Sequence, residues 1–177
     1  MRNNMITDTH SRENGYISLA HIDLLNMPET VTVEGQTLLK KSEFHVSIMA
    51  LKNLAPMLDS EHVEQAAETL TQSFLEFAKE HDLSTFHLMG EYRLVTRAER
   101  VTIVAMVELD NISELFDYLR AKHGINFPTQ PTHITIYTLQ PEVGIGILSR
   151  DELINESVSV DVPALSDVSV SRISVKD

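Results

Sequence analysis

Apolar and polar positions alternate in two short segments that lie far apart in the chain. In Phe44-His45-Val46-Ser47-Ile48-Met49-Ala50-Leu51 an extended backbone sends Phe44, Val46 and Ile48 to one face and His45 and Ser47 to the other. In Thr132-His133-Ile134-Thr135-Ile136-Tyr137 the same parity sets Ile134 and Ile136 against His133, Thr135 and Tyr137. Between the two segments the period changes. Val63, Ala66, Ala67, Leu70, Phe74, Phe77 and Ala78 recur at three- and four-residue spacing, which predicts a helix from a cap at Asp59 or Ser60 to about His81. Asn111-Ile112-Ser113-Glu114 reads as a capping box for a second helix, which buries Ile112, Leu115, Phe116 and Leu119 and stops at Gly124.

The remaining pattern is extended. Tyr16 to Ile22 predicts a first strand, and Val31 to Leu39 a hairpin turning at Glu34-Gly35. Tyr92 to Arg97 and Val101 to Leu109 predict a strand pair joined at Ala98-Glu99-Arg100. The second strand of that pair is apolar on both faces, as a central strand is. Pro128 and Pro131 mark a loop before the second histidine segment. Gly144 to Leu148 is short and apolar, and Ser149-Arg150-Asp151-Glu152 opens a last helical turn. Ser157 to Val162 and Val168 to Val175 alternate serine with valine, the pattern of half-exposed edge strands. Residues 1–15 are polar and read as a flexible tail, leaving 16–177 as a single α+β domain. The order strand-with-His, helix, strand, strand, helix, strand-with-His is roughly symmetric about the turn near Glu99, with no sequence repeat beyond the His-x-Ser/Thr pair.

Composition narrows the function. A 177-residue chain that is 42% apolar can bury a proper core. No apolar run reaches the roughly 18–20 residues of a membrane span, and the polar N-terminus points to a cytoplasmic protein with no membrane partner. Without cysteine there is no disulfide, thiolate metal site or thiol nucleophile. The net charge of -12, with no basic cluster beyond Lys40-Lys41, fits a small phosphorylated ligand better than a long nucleic acid. Neither oligomeric state nor exact substrate follows from these features.

His-x-Ser/Thr alone is a weak motif. Eight histidines among 29 Ser and Thr in 177 residues give about 1.3 chance matches against the two present, so strand context singles out His45-Val46-Ser47 and His133-Ile134-Thr135. His10, His21, His62, His81, His87 and His123 lack that context. Two imidazoles near neutrality can act as base and acid on one phosphoryl group, while Ser47 and Thr135 hold its non-bridging oxygens; no metal or cofactor is required. Tyr16, Tyr92 and Tyr137 are candidates to stack on a base. Arg93 or Arg97 is a candidate phosphate clamp.

With these two motifs, and with Pro131-Thr132-His133-Ile134-Thr135 followed by Gly144-Ile145-Gly146-Ile147, the chain over roughly Tyr16 to Ile154 resembles the two-histidine (2H) phosphoesterase superfamily of cyclic nucleotide phosphodiesterases and RNA 2′-5′ ligase-like proteins. The resemblance implies a two-lobed, pseudo-symmetric fold, with antiparallel sheets around a central cleft and helices outside. It implies His45 and His133 as catalytic residues, Ser47 and Thr135 as phosphate ligands, and a 2′,3′-cyclic phosphate or 2′-5′ linkage of a small nucleotide or RNA end as substrate. Many ligase-like members carry an arginine a few residues after the second motif; here Thr138, Leu139 and Gln140 stand there. Two other readings remain: a nucleotide sensor that binds in the same cleft without turnover, and a structural domain whose histidines are ordinary.

Overall fold

Both histidine segments form strands, and the two strands are neighbours. The computed structural model describes residues 4–173. Its elements run β1 (His10–Glu13), β2 (Tyr16–Leu25), β3 (Thr30–Val33), β4 (Gln36–Lys40), β5 (Phe44–Met49), α1 (Leu51–Leu58), α2 (Val63–Ala78), β6 (Phe86–Arg97) and β7 (Arg100–Leu109). They continue with α3 (Ile112–His123), β8 (His133–Thr138), α4 (Arg150–Glu156), β9 (Ser157–Val160), a 3-10 turn at Pro163–Leu165 and β10 (Ser169–Ile173). Among the described residues the strands make one ten-stranded sheet with the path β1-β2-β5-β8-β7-β6-β9. The protein is thus α+β with a large antiparallel sheet. The two histidine strands lie side by side in this sheet.

One face of the sheet is apolar and carries the helices. Ile17, Leu19, Val46, Ile48, Ile103, Ala105, Val107, Ile134 and Ile136 join Leu54 of α1, Leu70 and Phe74 of α2, and Leu115, Phe116 and Leu119 of α3 in a single core. Each of the larger side chains, fully buried, contributes about 1.5–3 kcal/mol. This burial fixes which face of β5 and β8 points inward, and leaves their polar residues on the opposite face.

Several local expectations are met. Glu34 and Gly35 adopt the left-handed conformation a two-residue hairpin turn requires. Gly124 ends α3 in the same conformation, its N–H on Arg120 O at 2.9 Å. Ser149 caps α4 by accepting from Glu152 N, and β9 lies at a sheet edge.

Others change. The stretch read as a loose tail carries β1, which pairs with β2; His10 there packs edge-on to Phe74 and donates from Nε2 to Leu83 O at 2.9 Å. An unforeseen helix, α1, occupies Leu51–Leu58 with Pro56 inside, so α2 begins only at Val63, and Val63 is exposed. Asp59 accepts from the N–H groups of Glu61 and His62, before the helix rather than as its cap. The capping box does not form: Asn111 is left-handed and its amide donates instead to Asp82 O at 2.7 Å. Of the last expected strand, Ser169–Ile173 is built as β10; residues 174 and 175 lie outside the described residues.

The parity of β8 also breaks. Pairing with β7 runs Met106↔His133, Ala105↔Ile134 and Val104↔Thr135, then shifts to Ile103↔Tyr137 and Thr102↔Thr138. The extra residue is a β-bulge, which turns every later side chain over. Tyr137 therefore does not share the face of His133. It is fully buried in the helix-side core, and its hydroxyl donates to Pro28 O at 2.6 Å. Burial and nearby Glu29 push its phenol up to about 12.

Tyr137→Phe leaves the Pro28 carbonyl without its donor. We expect a loss of about 1–2 kcal/mol in urea unfolding; a variant as stable as the wild type contradicts this role.

Candidate functional site

The register of β5 against β8 builds the site. Val46 pairs with Ile134 in antiparallel sense. Counting one residue each way sets Ser47 opposite His133 and His45 opposite Thr135, all four on the face away from the helices. Opposed side chains in such a pair stand about 4.5–5.5 Å apart at Cβ and diagonal ones no more than about 7–8 Å. The two imidazoles occupy one diagonal and the two hydroxyls the other, so one phosphoryl group at the centre would be within reach of all four. On the flanking strands Ser18 lies opposite Ser47, Met106 opposite His133 and Val104 opposite Thr135.

A glycine-bearing strap closes one side. Ile145 and Ile147 are buried against Val95, Val104 and Met106, and hold residues 144–147 on the sheet face. Their alternation turns Gly144 and Gly146 the other way. A Cβ on Gly144 would lie 3.8 Å from Thr135 Cγ2, and one on Gly146 only 2.2 Å from Tyr16 Oη. Tyr16, two residues before Ser18 on β2, thus reaches the strap with its hydroxyl, while Lys52 Nζ sits 4.8 Å from its ring centroid. His133, next to Thr135 on β8, is left only 4% exposed.

The electrostatics differ between the two histidines. His133 donates from Nδ1 to Pro131 O at 2.9 Å, since a carbonyl can only accept. That bond fixes the tautomer of the neutral ring and leaves Nε2 as its free lone pair. Among the described residues the buried polar side-chain atoms without a protein partner belong to Thr102, Gln130 and Thr138. His133 Nε2 makes no protein hydrogen bond among the described residues. Burial lowers the pKa of His133, and the Pro131 carbonyl opposes that by favouring the charged ring. His45 is exposed at its surface, yet protein around the ring, the Lys41 ammonium and His133 together lower its pKa to about 4. Ser47 and Thr135 are half-buried, and their hydroxyls make no hydrogen bond within the described protein.

Of the predicted site residues, His45, Ser47, His133, Thr135 and Tyr16 come together. Tyr137 and Tyr92 do not. Tyr92 pairs with Ala105 of the helix-side core and donates its hydroxyl to Leu165 O at 3.1 Å. Arg93 lies on the histidine face, opposite Val104, but two strands from Thr135, about 9–10 Å away. Its guanidinium is committed to Glu91 at 3.0 Å and to Ser157 Oγ at 2.7 Å. Arg97 is held by Glu152 and Glu156. Sequence reasoning gave Lys41 no part here, although Lys40-Lys41 stood out as the one basic cluster and the charge of Lys41 acts on His45. Among the described residues no group of three or more His, Asp or Glu side chains is placed to hold a metal ion, and no helix is long and apolar enough to cross a membrane.

Comparison of the chain with protein-family models, with curated proteins and with solved structures gives no match.

Gly146→Ala forces Tyr16 or the strap to move. We expect a loss of about 1–3 kcal/mol, largely recovered in Gly146→Ala with Tyr16→Phe, where the nearest atom becomes Cζ at 3.3 Å. A stable Gly146→Ala single variant contradicts the contact.

Proposed function

We propose that the protein is a metal-independent phosphodiesterase of two-histidine type, acting on a 2′,3′-cyclic phosphate or a 2′-5′ linkage of a small nucleotide or RNA end. The observation that carries this reading is the set of four polar side chains with no commitment elsewhere. His45, Ser47, Thr135 and Nε2 of His133 are adjacent on one sheet face and available to a ligand. The element order from β5 to β8, with α1 as an addition after β5, supports the pseudo-symmetric 2H fold, and the net charge of -12 supports a small substrate.

In the proposed reaction the phosphoryl group sits between the diagonals. Ser47 and Thr135 donate to its non-bridging oxygens. His45 is kept neutral by its surroundings and takes the proton of the attacking water as the new P–O bond forms. His133 is protonated on both nitrogens, holds Pro131 O with Nδ1–H, and gives its Nε2 proton to the sugar oxygen as the old P–O bond breaks. The bound phosphate anion favours the charged form of His133. The near-burial of His133 favours, as a second reading, a nucleotide sensor that uses the same face without turnover.

The test is incubation in EDTA with 2′,3′-cyclic nucleotides, 2′-5′ oligoadenylates and cyclic dinucleotides. We expect one class to be cleaved, with His45→Ala and His133→Ala each reducing the rate by about 10²–10⁴. Saturable binding without product supports the sensor, and activity unchanged in both variants overturns the site. The pH profile follows from the two rings. Activity requires deprotonated His45, so kcat/KM rises as pH climbs through its lowered value of about 4. It requires protonated His133, so kcat/KM falls as pH climbs through a value depressed below 6.5. A maximum on the acid side of 6.5 is expected, and one at alkaline pH contradicts the assignment.

A further inference from the structure

The 2H resemblance leaves a gap: the arginine expected after the second motif is absent, and both arginines nominated in its place are tied to carboxylates. The chain carries 14 basic residues against 26 acidic ones, and most of its cations near the sheet are neutralised. Lys40 is on Glu29 at 2.7 Å, Arg12 on Glu64 and Glu68, and Arg93 and Arg97 on their own partners. Lys52 lies over Tyr16 and lines a groove of about 290 Å³ that it shares with Arg12, Glu13 and Glu64, so carboxylates stand beside it.

Lys41 differs. Strand β4 and strand β5 lie along the same edge of β8, one after the other. Leu39 pairs with Thr138 and Lys40 with Tyr137, and the N–H of Lys41 donates to Ile136 O at 2.9 Å. Tyr137 belongs to the helix-side core, so Lys40, its partner at the end of β4, takes that side, and continued alternation would give Lys41 the opposite, histidine side. The bond to Ile136 sets the backbone of Lys41 one residue beyond Thr135, the residue opposite His45. Lys41 is half-buried and makes no ion pair among the described residues. At the next residue, Ser42 N donates to the Glu142 carboxylate at 2.9 Å. The depressed pKa of His45, to which Lys41 contributes, agrees with this placement.

We infer that Lys41 is the cation that holds the anionic oxygen of the phosphodiester, so that the site selects diester anions by charge as well as by shape. The inference rests on the reading of the histidine face as a phosphoester site. An ammonium on a flexible stem fits the role of a point charge on one oxygen, where an arginine would grip two.

The experiment titrates inorganic phosphate into the full chain labelled with ¹⁵N-histidine, in wild type, Lys41→Gln, Lys41→Met and Lys41→Arg. We expect millimolar phosphate to move the ring signals of His45 and His133 in the wild type. Affinity should fall about tenfold or more in the Gln and Met variants and largely return in the Arg variant. The His45 ring should titrate at higher pH once the charge is gone. Four results overturn the inference: no phosphate response in the wild type, equal affinity without the lysine, equal loss in the Arg variant, or an unmoved His45 titration. Turnover of a cyclic nucleotide is followed in parallel. Phosphate binding as expected with no turnover removes the hydrolase reading and keeps Lys41. Turnover with KM and kcat unchanged in Lys41→Gln removes Lys41 and keeps the hydrolase.

Discussion

The pairing of Val46 with Ile134 fixes the rest of the site. Ile134, Val46 and their neighbours at Ile48 and Ile136 are fully buried under the helices, and a strand with one buried face cannot slip by one residue without exposing that whole set. The same constraint that hides the isoleucines therefore presents His45, Ser47, His133 and Thr135 together. The chemistry is a by-product of core registration: the apolar face specifies the alignment, and the polar face inherits it at no separate cost in order.

This explains what was legible in the sequence and what was not. Parity along β5, and along β8 up to Ile136, depends on local alternation alone, so the His-x-Ser and His-x-Thr faces could be read directly. Tyr137 could not, because a bulge against β7 turns it over, and bulges arise from pairing with a partner strand rather than from the strand's own pattern. Tyr92 went wrong for a related reason: two apolar faces on its partner β7 give no indication of which one the helices cover. Helix α1 was hidden by Pro56 and by the apolar run that continues out of β5. The N-terminal strand β1 escaped because His10, its buried residue, is polar and is satisfied by Thr7 and Leu83. The capping box at Asn111 failed when the side chain found the Asp82 carbonyl instead. Helix α3 and its stop at Gly124 were legible because a left-handed C-cap is a local demand that glycine meets at little cost.

Charge is distributed in keeping with the site. An acidic protein repels phosphates in general, and the carboxylates that neutralise Arg93, Arg97 and Lys40 remove most nearby alternatives. Burial lowers the pKa of both rings; the ammonium of Lys41 adds to this at His45, whereas the Pro131 carbonyl on the far nitrogen of His133 opposes it. The strap contributes geometry: its isoleucines anchor it to Val104 and Met106, and its glycines let Tyr16 and Thr135 approach from the open side.

The central claim is that one oxyanion touches both imidazoles at once, and the most direct measurement is a crystal structure with orthovanadate. The account predicts a single vanadate with ring nitrogens of His45 and His133 on opposite sides and the hydroxyls of Ser47 and Thr135 on its remaining oxygens. Vanadate bound elsewhere, or bound to one imidazole with the other turned away, would contradict it.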